Sequence, residues 1–357
     1  MTEVETFLQK TVIDKNSPSV QYILFDKDNI IQECSLGLAD IAGNIKVNNQ
    51  TTYNAFSVTK TFTALAILQL AEKKKVDIEQ PIKNYLPDFP YPGAITIRQL
   101  LSHSAGIPNP IPLKWIHLTT EQNSFDSHKF FKDIFISNKK IKYQPNQKSA
   151  YSNLGYVLLG QLIEKVADMR YEQYITENII HRLGLHNTAL GFTILNPDLH
   201  AKGYHKRFSF TNTILGFFID KSKYMGKGEG KWKPFNHFYV NGASYGGLIG
   251  TPMAFVKYIQ TLLKPNNPLL SEDYQRLLFT ENHTTNSKAT GMCLSWFTGQ
   301  LNGHKYFAHA GGGGGYYCEI RIYPYRGIGS VVFFNRTGMS DERFLDKVDK
   351  LYFERNK

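Results

Sequence analysis

The stretch that decides the fold reads Tyr53-Asn54-Ala55-Phe56-Ser57-Val58-Thr59-Lys60, and an apolar run from Thr61 to Ala71 follows it. That run predicts a helix that is apolar on nearly every side and therefore buried at the centre of the protein. Ser57 and Lys60 stand three residues apart at the start of this helix, so their side chains share one face. The amide N–H groups and the positive dipole end of a helix start also favour an oxyanion. Ser57 is therefore the candidate nucleophile.

The Ser-x-x-Lys spacing alone is weak evidence, because Ser137 and Lys140 match it as well. The surroundings separate the two pairs. Ser137 falls in a polar, lysine-rich segment, whereas Ser57 heads an apolar helix in which the amine of Lys60 is desolvated. Desolvation lowers the pKa of an amine toward that of a base. The simplest alternative is that Ser57 only starts a helix, a position that serine favours.

A second pattern, Tyr151-Ser152-Asn153, opens another predicted helix over residues 154–166. A tyrosine beside a lysine can relay a proton between the nucleophile and the leaving group. An asparagine amide can hold a substrate or the lysine, because it both donates and accepts hydrogen bonds. The same Tyr-x-Asn pattern occurs at Tyr239 and Asn241, and a single such tyrosine is more often a packed core residue.

The third pattern is His309-Ala310-Gly311, which follows a strand-like segment and leads into four more glycines, Gly312 to Gly315. Glycines on a strand edge let a substrate backbone approach closely. We expect a backbone N–H here to form half of an oxyanion hole, with the N–H of Ser57 as the other half. A phosphate loop is excluded because no Lys-Ser/Thr follows the glycines. The alternative is a flexible hairpin turn.

Strand patterns lie at both ends of the chain, and helical patterns broken by prolines fill the middle. The predicted strands cover residues 20–25, 30–34, 294–297, 305–308, 317–322 and 329–334, and the predicted helices include 3–15, 127–136, 154–166, 171–183 and 342–353. The fold class is therefore α+β: an antiparallel sheet flanked by helices, with an all-helical insertion. Residues 1–75 and 245–357 are expected to form the sheet domain and residues 76–244 the mainly helical domain, with a cleft between them.

The order of the three patterns resembles the serine β-lactamase and penicillin-binding-protein superfamily. In detail the chain is similar to the branch that holds class C β-lactamases, D-alanyl-D-alanine carboxypeptidases and related serine esterases. The linking segments 76–87, 95–107 and 246–252 also resemble sequences of that family, and the resemblance extends from about residue 20 to residue 336. It implies a β-lactamase/DD-peptidase-like fold.

The resemblance also implies an acyl-enzyme reaction with no metal and no cofactor. Ser57, Lys60 and Tyr151 would be the catalytic residues, and the substrate would be held by Asn153, His309, Gly311 and Gly312. The sequence departs from the family pattern at two positions, and these limit how far the family's residue roles apply to this chain. His309 stands where many members have lysine, and a neutral imidazole binds a carboxylate less well than an ammonium. Asn146 stands where the family has glycine after a proline, which is tolerable because asparagine also visits left-handed conformations.

The expected activity is a serine acyl hydrolase that acts on a small-molecule ester, amide or peptide. One alternative is a D-alanyl-D-alanine carboxypeptidase or a class C-like β-lactamase. Another is a non-catalytic binding or sensor protein with the same fold, although such a protein would be free to lose the complete serine, lysine, tyrosine and asparagine set. His103 lies in a family-like segment and is expected to be structural.

Composition excludes several other classes. The formal net charge is +11, but the lysines are scattered, so a nucleic-acid partner is not expected. The basic, aromatic segment 202–239, which includes Phe217 and Phe218, is predicted to border the cleft. Three isolated cysteines suggest neither a zinc site nor a disulfide framework. No transmembrane segment is predicted. The acidic N-terminus lacks signal-peptide features, so the expected location is cytoplasmic, or periplasmic or secreted if a leader has been removed.

Overall fold

Fourteen strands and eleven α-helices lie in the part of the chain that the computed structural model describes, residues 2–14, 16–209, 219–337 and 343–355. The strands are β1 Ser19–Asp26, β2 Ile30–Asp40, β3 Ile45–Lys46, β4 Tyr53–Asn54, β5 Ile116–Leu118, β6 Leu190–Gly191, β7 Tyr204–Lys206, β8 Trp232–Pro234, β9 Phe238–Val240, β10 Ile249–Gly250, β11 Phe297–Leu301, β12 His304–Gly313, β13 Tyr316–Tyr323 and β14 Ile328–Phe334. The helices are α1 Glu3–Ile13, α2 Thr59–Glu72, α3 Ile97–Leu101, α4 Ser127–Ser137, α5 Asn153–Ala167, α6 Tyr171–Ile175, α7 Lys221–Tyr224, α8 Ala243–Gly246, α9 Pro252–Leu262, α10 Glu272–Leu278 and α11 Phe344–Arg355. No helix in these ranges is long and apolar enough to cross a bilayer.

Both ends of the chain build one antiparallel sheet of seven strands, in the order β11-β12-β13-β14-β1-β2-β3. The two ends meet where β1 pairs with β14, with Val20 opposite Phe334 and Asp26 opposite Ile328. The first two predicted strands, 20–25 and 30–34, are present as β1 and β2 and pair across a short turn. The α+β class with a large antiparallel sheet and flanking helices is thus confirmed.

Three details differ from the sequence predictions. The strand expected at 294–297 is wrong, because Ser295 has a φ of 73°, which breaks an extended chain, and β11 begins only at Phe297. The helix expected at 171–183 is α6 followed by a π turn over Thr176–Ile180 and a 3-10 turn. Glu342, the expected start of the last helix, lies outside the described residues.

The segment between the two halves of the sheet is mainly helical but not all-helical. The five short strands β5 to β9 lie in it, and two of its pairs, β5 with β9 and β7 with β8, form small ribbons. Strands this short leave no clear alternation in a sequence. The division of the chain into two domains at about residues 75 and 245 stays a prediction.

Helix α2 is buried on every side, as its composition predicts. All its residues from Thr59 to Ala71 are buried. On one side Phe62 stacks on Tyr258 of α9, with ring centres 4.1 Å apart, and α9 in turn packs on β1 and β14. Helices α5 and α8 pack against α2 as well. The sheet, α9, α2 and α5 therefore form successive layers, and α2 has no solvent-facing side on which polar groups would be hydrated.

Helices α1 and α11 cover the opposite face of the sheet, and a buried ion network ties α11 to it. Arg321 of β13 is fully buried, and its guanidinium lies 2.6 Å from a Glu319 oxygen and 2.7 Å from an Asp346 oxygen. Asp349, also fully buried, accepts hydrogen bonds from the Tyr323 and Ser330 hydroxyls at 2.8 and 2.7 Å. The Arg321 guanidinium therefore compensates the charges of Glu319, Asp346 and Asp349 at β13, the strand that pairs with β12.

We expect Arg321→Ala to lower the free energy of unfolding by about 3–5 kcal/mol, because it leaves buried carboxylates without their cation. Urea unfolding at pH 7 measures this. Arg276→Ala is the matched control, since Arg276 pairs with Glu272 and Asp273 on an exposed surface. It should change the unfolding free energy by no more than about 0.5 kcal/mol. Equal effects of the two substitutions would contradict the role given to the Arg321 network.

Candidate active site

Ser57 lies in a 3-10 turn, Phe56–Val58, that leads directly into α2. The residue before it, Phe56, has a left-handed φ of 44°, which is unusual for a residue other than glycine. The Phe56 ring contacts the rings of Tyr316 and Phe238, with centres 6.3 and 6.2 Å apart. These contacts hold a costly backbone conformation immediately before the candidate nucleophile, a feature that clusters at functional sites.

Lys60 is fully buried on the first turn of α2. Its Nζ donates a hydrogen bond to the Ser57 Oγ at 3.0 Å and another to the backbone oxygen of Tyr245 at 2.7 Å. Burial holds the pKa of Lys60 well below its usual value. The structure thus brings together the two residues of the first pattern, with the amine desolvated.

Tyr151 and Asn153 reach the same place from the start of α5. The Lys60 Nζ lies 4.8 Å from the centre of the Tyr151 ring. Ser152 caps α5, because its Oγ accepts a hydrogen bond from the Gly155 N–H at 3.2 Å. Asn153 is the first residue of the helix, and its buried Oδ1 has no hydrogen-bond partner within the described ranges. Ser57, Tyr151 and Asn153 line one cavity, so the start of α5 lies on the Ser57 side of the site.

His309 lies within β12 and is buried, with about 1% of its surface exposed. Its Nδ1 is 2.8 Å from the backbone oxygen of Ala310, which can only accept, so Nδ1 carries the proton. The buried Nε2 has no partner in the part of the chain that the structure describes. Burial and the nearby Lys60 lower the pKa of His309 to about 3. The imidazole is thus a neutral hydrogen-bond acceptor beside Tyr151, whose ring centre is 6.3 Å away.

Gly311 brings β12 against the peptide that carries Ser57. A Cβ at Gly311 would lie 2.1 Å from the Ala55 oxygen and 3.0 Å from the Ser57 nitrogen, so only glycine fits. At Gly312 the nearest atom to such a Cβ would be 3.5 Å away, an ordinary contact. Gly311 to Gly313 belong to the strand, and the turn comes only at Gly314 and Gly315. The close approach at Gly311 is thus to the protein's own backbone, and the approach of a substrate backbone to this strand edge stays a prediction.

Two cavities meet at Ser57, Tyr151 and Gly312. The smaller holds about 330 Å³ and is mostly apolar, and its described lining includes Pro112, Leu113, Ile116, Ile219, Phe235 and Val240. The larger, about 670 Å³, follows β12 and includes Phe297 and His309. Ile219 and Phe235 belong to the segment 202–239, which is predicted to border the cleft. Phe217 and Phe218 of the same segment lie outside the described residues. Ligand sites are usually built in this way, from apolar walls and a few convergent polar groups.

The repeated patterns elsewhere in the chain do not contribute to this site. The Ser137 hydroxyl donates to the Asp133 backbone oxygen at 2.9 Å, at the end of α4. Asn241 of the second Tyr-x-Asn pattern bonds to the His117 ring at 2.8 Å. Among the described residues, no group of three or more His, Cys, Asp or Glu residues is arranged to hold a metal ion.

Two contributors were not predicted. The Tyr245 carbonyl accepts the Lys60 hydrogen bond, but a backbone atom leaves no residue-type signal, and only the family-like segment that follows at 246–252 points to this region. His103, expected to be structural, packs beside Tyr151 with ring centres 4.4 Å apart. Its place in the family-like segment 95–107 was the one available signal.

Comparison with known proteins identifies the family of the chain. The family model described as Beta-lactamase matches residues 4–352. Penicillin-binding protein 4* of Bacillus subtilis is 30% identical over 201 residues, which are 55% of this chain and 44% of that protein. The match thus spans less than half the length of this curated relative.

Solved structures share the fold. The D-amino acid amidase from Ochrobactrum anthropi SV3, complexed with L-phenylalanine amide, superposes with a TM-score of 0.80 at 17% identity over 99% of each chain. EstCE1, described as a hydrolase with promiscuous acyltransferase activity, gives a TM-score of 0.75 at 19% identity over 98% of this chain and 97% of its own. The resemblance to the serine β-lactamase and penicillin-binding-protein superfamily is confirmed, and the chain belongs to the beta-lactamase family.

Proposed function

We propose that this protein is a serine acyl hydrolase that forms a covalent acyl-enzyme on Ser57 and hydrolyses an ester or an amide. The observation that carries the proposal is the buried, desolvated amine of Lys60 at 3.0 Å from the Ser57 Oγ. Burial lowers the pKa of Lys60 and so favours its unprotonated amine, which is the form that can act as the base a serine needs to become a nucleophile. Membership of the beta-lactamase family supports the same reaction class.

Acylation begins when the Ser57 hydroxyl gives its proton to the unprotonated Lys60 amine and the Oγ attacks the substrate carbonyl carbon. The Ser57 N–H and a β12 backbone N–H near Gly311 stabilise the oxyanion, since Gly311 lets the two backbones approach. Tyr151 passes the proton to the leaving alcohol or amine, and the C–O or C–N bond breaks. A water molecule then attacks the acyl-enzyme, which releases the acid and restores Ser57.

The polar groups around Ser57 suit a substrate without a carboxylate next to the scissile bond. His309 offers a neutral acceptor, Nε2, at the position where a lysine would offer a cation. The buried Asn153 Oδ1 has no hydrogen-bond partner among the described residues and can accept one from the substrate. The smaller cavity has apolar walls among its described lining residues. We therefore favour an ester or an amide over a β-lactam or a peptide with a terminal carboxylate.

The second candidate is a D-alanyl-D-alanine carboxypeptidase or a class C-like β-lactamase. The 30% identity to penicillin-binding protein 4* is the observation that favours it. A non-catalytic binding protein is disfavoured, because such a protein would be free to lose the serine, lysine, tyrosine and asparagine that line this site.

Exposure to a fluorophosphonate should add one adduct to the intact protein, which mass spectrometry of the whole chain detects. Ser57→Ala should abolish the adduct and the hydrolysis of a p-nitrophenyl ester. Ser137→Ala, which removes the serine of the repeated Ser-x-x-Lys pattern, should keep both. An absence of adduct on the wild-type protein, or labelling that persists in Ser57→Ala, would refute the covalent mechanism.

Lys60→Ala and Tyr151→Phe should each lower kcat/KM for the ester by about 10²-fold or more, the usual loss for an acid–base group. Lys60→Arg should lose as much, because arginine cannot be deprotonated and so cannot act as a base. The active form of Lys60 is the unprotonated amine, which is populated above its lowered pKa. The wild-type rate should therefore rise with pH through that lowered pKa and become level above it, at a pH well below the 10.5 of an ordinary lysine. Near-wild-type rates in Lys60→Arg would rule out the base role.

His309→Lys should increase the rate of acylation by a penicillin by at least about tenfold, since a hydrogen bond to a charged group contributes about 1.5–3 kcal/mol. Time-resolved intact-protein mass measures the acyl adduct. The matched control is His304→Lys, which adds a lysine at the start of the same strand, away from Ser57. If His309→Lys acylates no faster than this control, His309 does not set the preference between carboxylate-bearing and uncharged substrates.

A further inference from the structure

His103 holds the peptide on both sides of Tyr151. The Ala150 N–H donates a hydrogen bond to the His103 backbone oxygen at 2.8 Å, and the Ser152 N–H donates one to the His103 Nδ1 at 3.1 Å. Between these two bonds, the Tyr151 ring packs on the imidazole with ring centres 4.4 Å apart. His103 therefore binds Ala150 through its backbone oxygen and Ser152 through its ring nitrogen, and its ring face packs on Tyr151.

The conformation of His103 is unusual for a core histidine. Its φ is 56°, a left-handed value that residues with a Cβ adopt at a cost. It lies just after α3, where its N–H donates to the Leu100 oxygen at 3.2 Å, and only about 3% of its surface is exposed. Strained conformations of this kind persist where surrounding contacts fix them, and they concentrate at functional sites.

The protonation state of His103 matters to these contacts. Nδ1 accepts the Ser152 hydrogen bond only when it carries no proton, and Nε2 has no partner among the described residues. Lys60 of α2, His309 of β12, and Tyr151 and Tyr156 at the α5 side face the imidazole. Burial, with Lys60 and His309 adding to it, lowers the pKa of His103 well below its usual value. The ring is thus kept in the neutral form that holds Ser152.

We propose that His103 is a positioning residue that fixes the Tyr151 phenol for proton transfer beside Lys60 and Ser57, through hydrogen bonds to the peptides before and after Tyr151. The inference rests on the proposed function, because it assigns His103 no chemistry of its own. A tyrosine on an unheld loop would sample several positions, and a displacement of about 1 Å at a reacting group is enough to cost about 10²-fold in rate.

The test uses two substitutions that both tolerate a positive φ. His103→Gly removes the ring and the acceptor without backbone strain, whereas His103→Asn keeps a side-chain acceptor near the Nδ1 position and loses the ring. We expect His103→Gly to lower kcat for the p-nitrophenyl ester by about 10- to 10²-fold with less than about a twofold change in KM. His103→Asn should recover most of the lost kcat. Thermal unfolding of each variant shows whether the protein is folded.

A double-mutant cycle with Tyr151→Phe separates positioning from general stability. If His103 acts through Tyr151, the double variant His103→Gly, Tyr151→Phe should be about as active as Tyr151→Phe alone. Losses that multiply, a His103→Gly variant with wild-type kcat, or a His103→Asn variant no better than His103→Gly would each overturn the proposal. If His103→Gly does not fold, the cycle with His103→Asn replaces it: a loss that multiplies with Tyr151→Phe overturns the proposal, and a non-additive loss or no loss supports it.

Ser57→Ala reports separately on the proposed function. If Ser57→Ala has no turnover while His103→Gly keeps the wild-type kcat, the hydrolase mechanism holds and the positioning role fails. Turnover that survives in Ser57→Ala removes the proposed function and, with it, the role assigned to His103.

Discussion

The burial of one lysine amine is the constraint on which the rest of the structure depends. An ammonium in water has a pKa near 10.4 and almost no base form at neutral pH. Lys60 is removed from water because α2 is enclosed on every side, by α9 and the sheet on one side and by α5 and α8 on the other. A surface helix with the same Ser-x-x-Lys spacing would offer only a solvated ammonium. In the proposed mechanism, the apolar residues of α2 thus contribute to the chemistry as well as to the core.

Strand β12 of the sheet forms another part of the site, because it lies close to the backbone that carries Ser57. Gly311 lets β12 lie against the backbone at Ala55 and Ser57, where any side chain would collide with a backbone oxygen. On the other side of the turn, the left-handed Phe56 sets the direction of Ser57. The site is therefore assembled from segments far apart in the chain, each of which is held by the layer packing and by the buried network behind β13.

Much of this arrangement was accessible from the sequence, for identifiable physical reasons. Ser57 with Lys60, Tyr151 with Asn153, and His309 with Gly311 are side chains or glycines whose spacing carries chemical meaning, and the structure brings all three pairs together. The long strands β1, β13 and β14 are rich in β-branched and aromatic residues, which favour strands. By contrast, the Tyr245 carbonyl is a backbone atom, and the positive φ values of Phe56, His103 and Ser295 occur at residues that rarely adopt them. Tertiary packing sets such features, and the local sequence carries no signal for them.

The pairing of β1 with β14 has a consequence for how the chain folds. Val20 pairs with Phe334, so the sheet closes only after the chain has been made as far as β14. During synthesis α2 emerges early, yet the last strands of the sheet follow it by more than half of the chain. Contacts this distant in sequence form slowly, and unburied apolar helices promote aggregation in the interval. Until α5, α8, α9 and the last strands have been made, the nascent chain exposes apolar sides of the helix that carries Lys60, and association with other chains competes with folding at that stage.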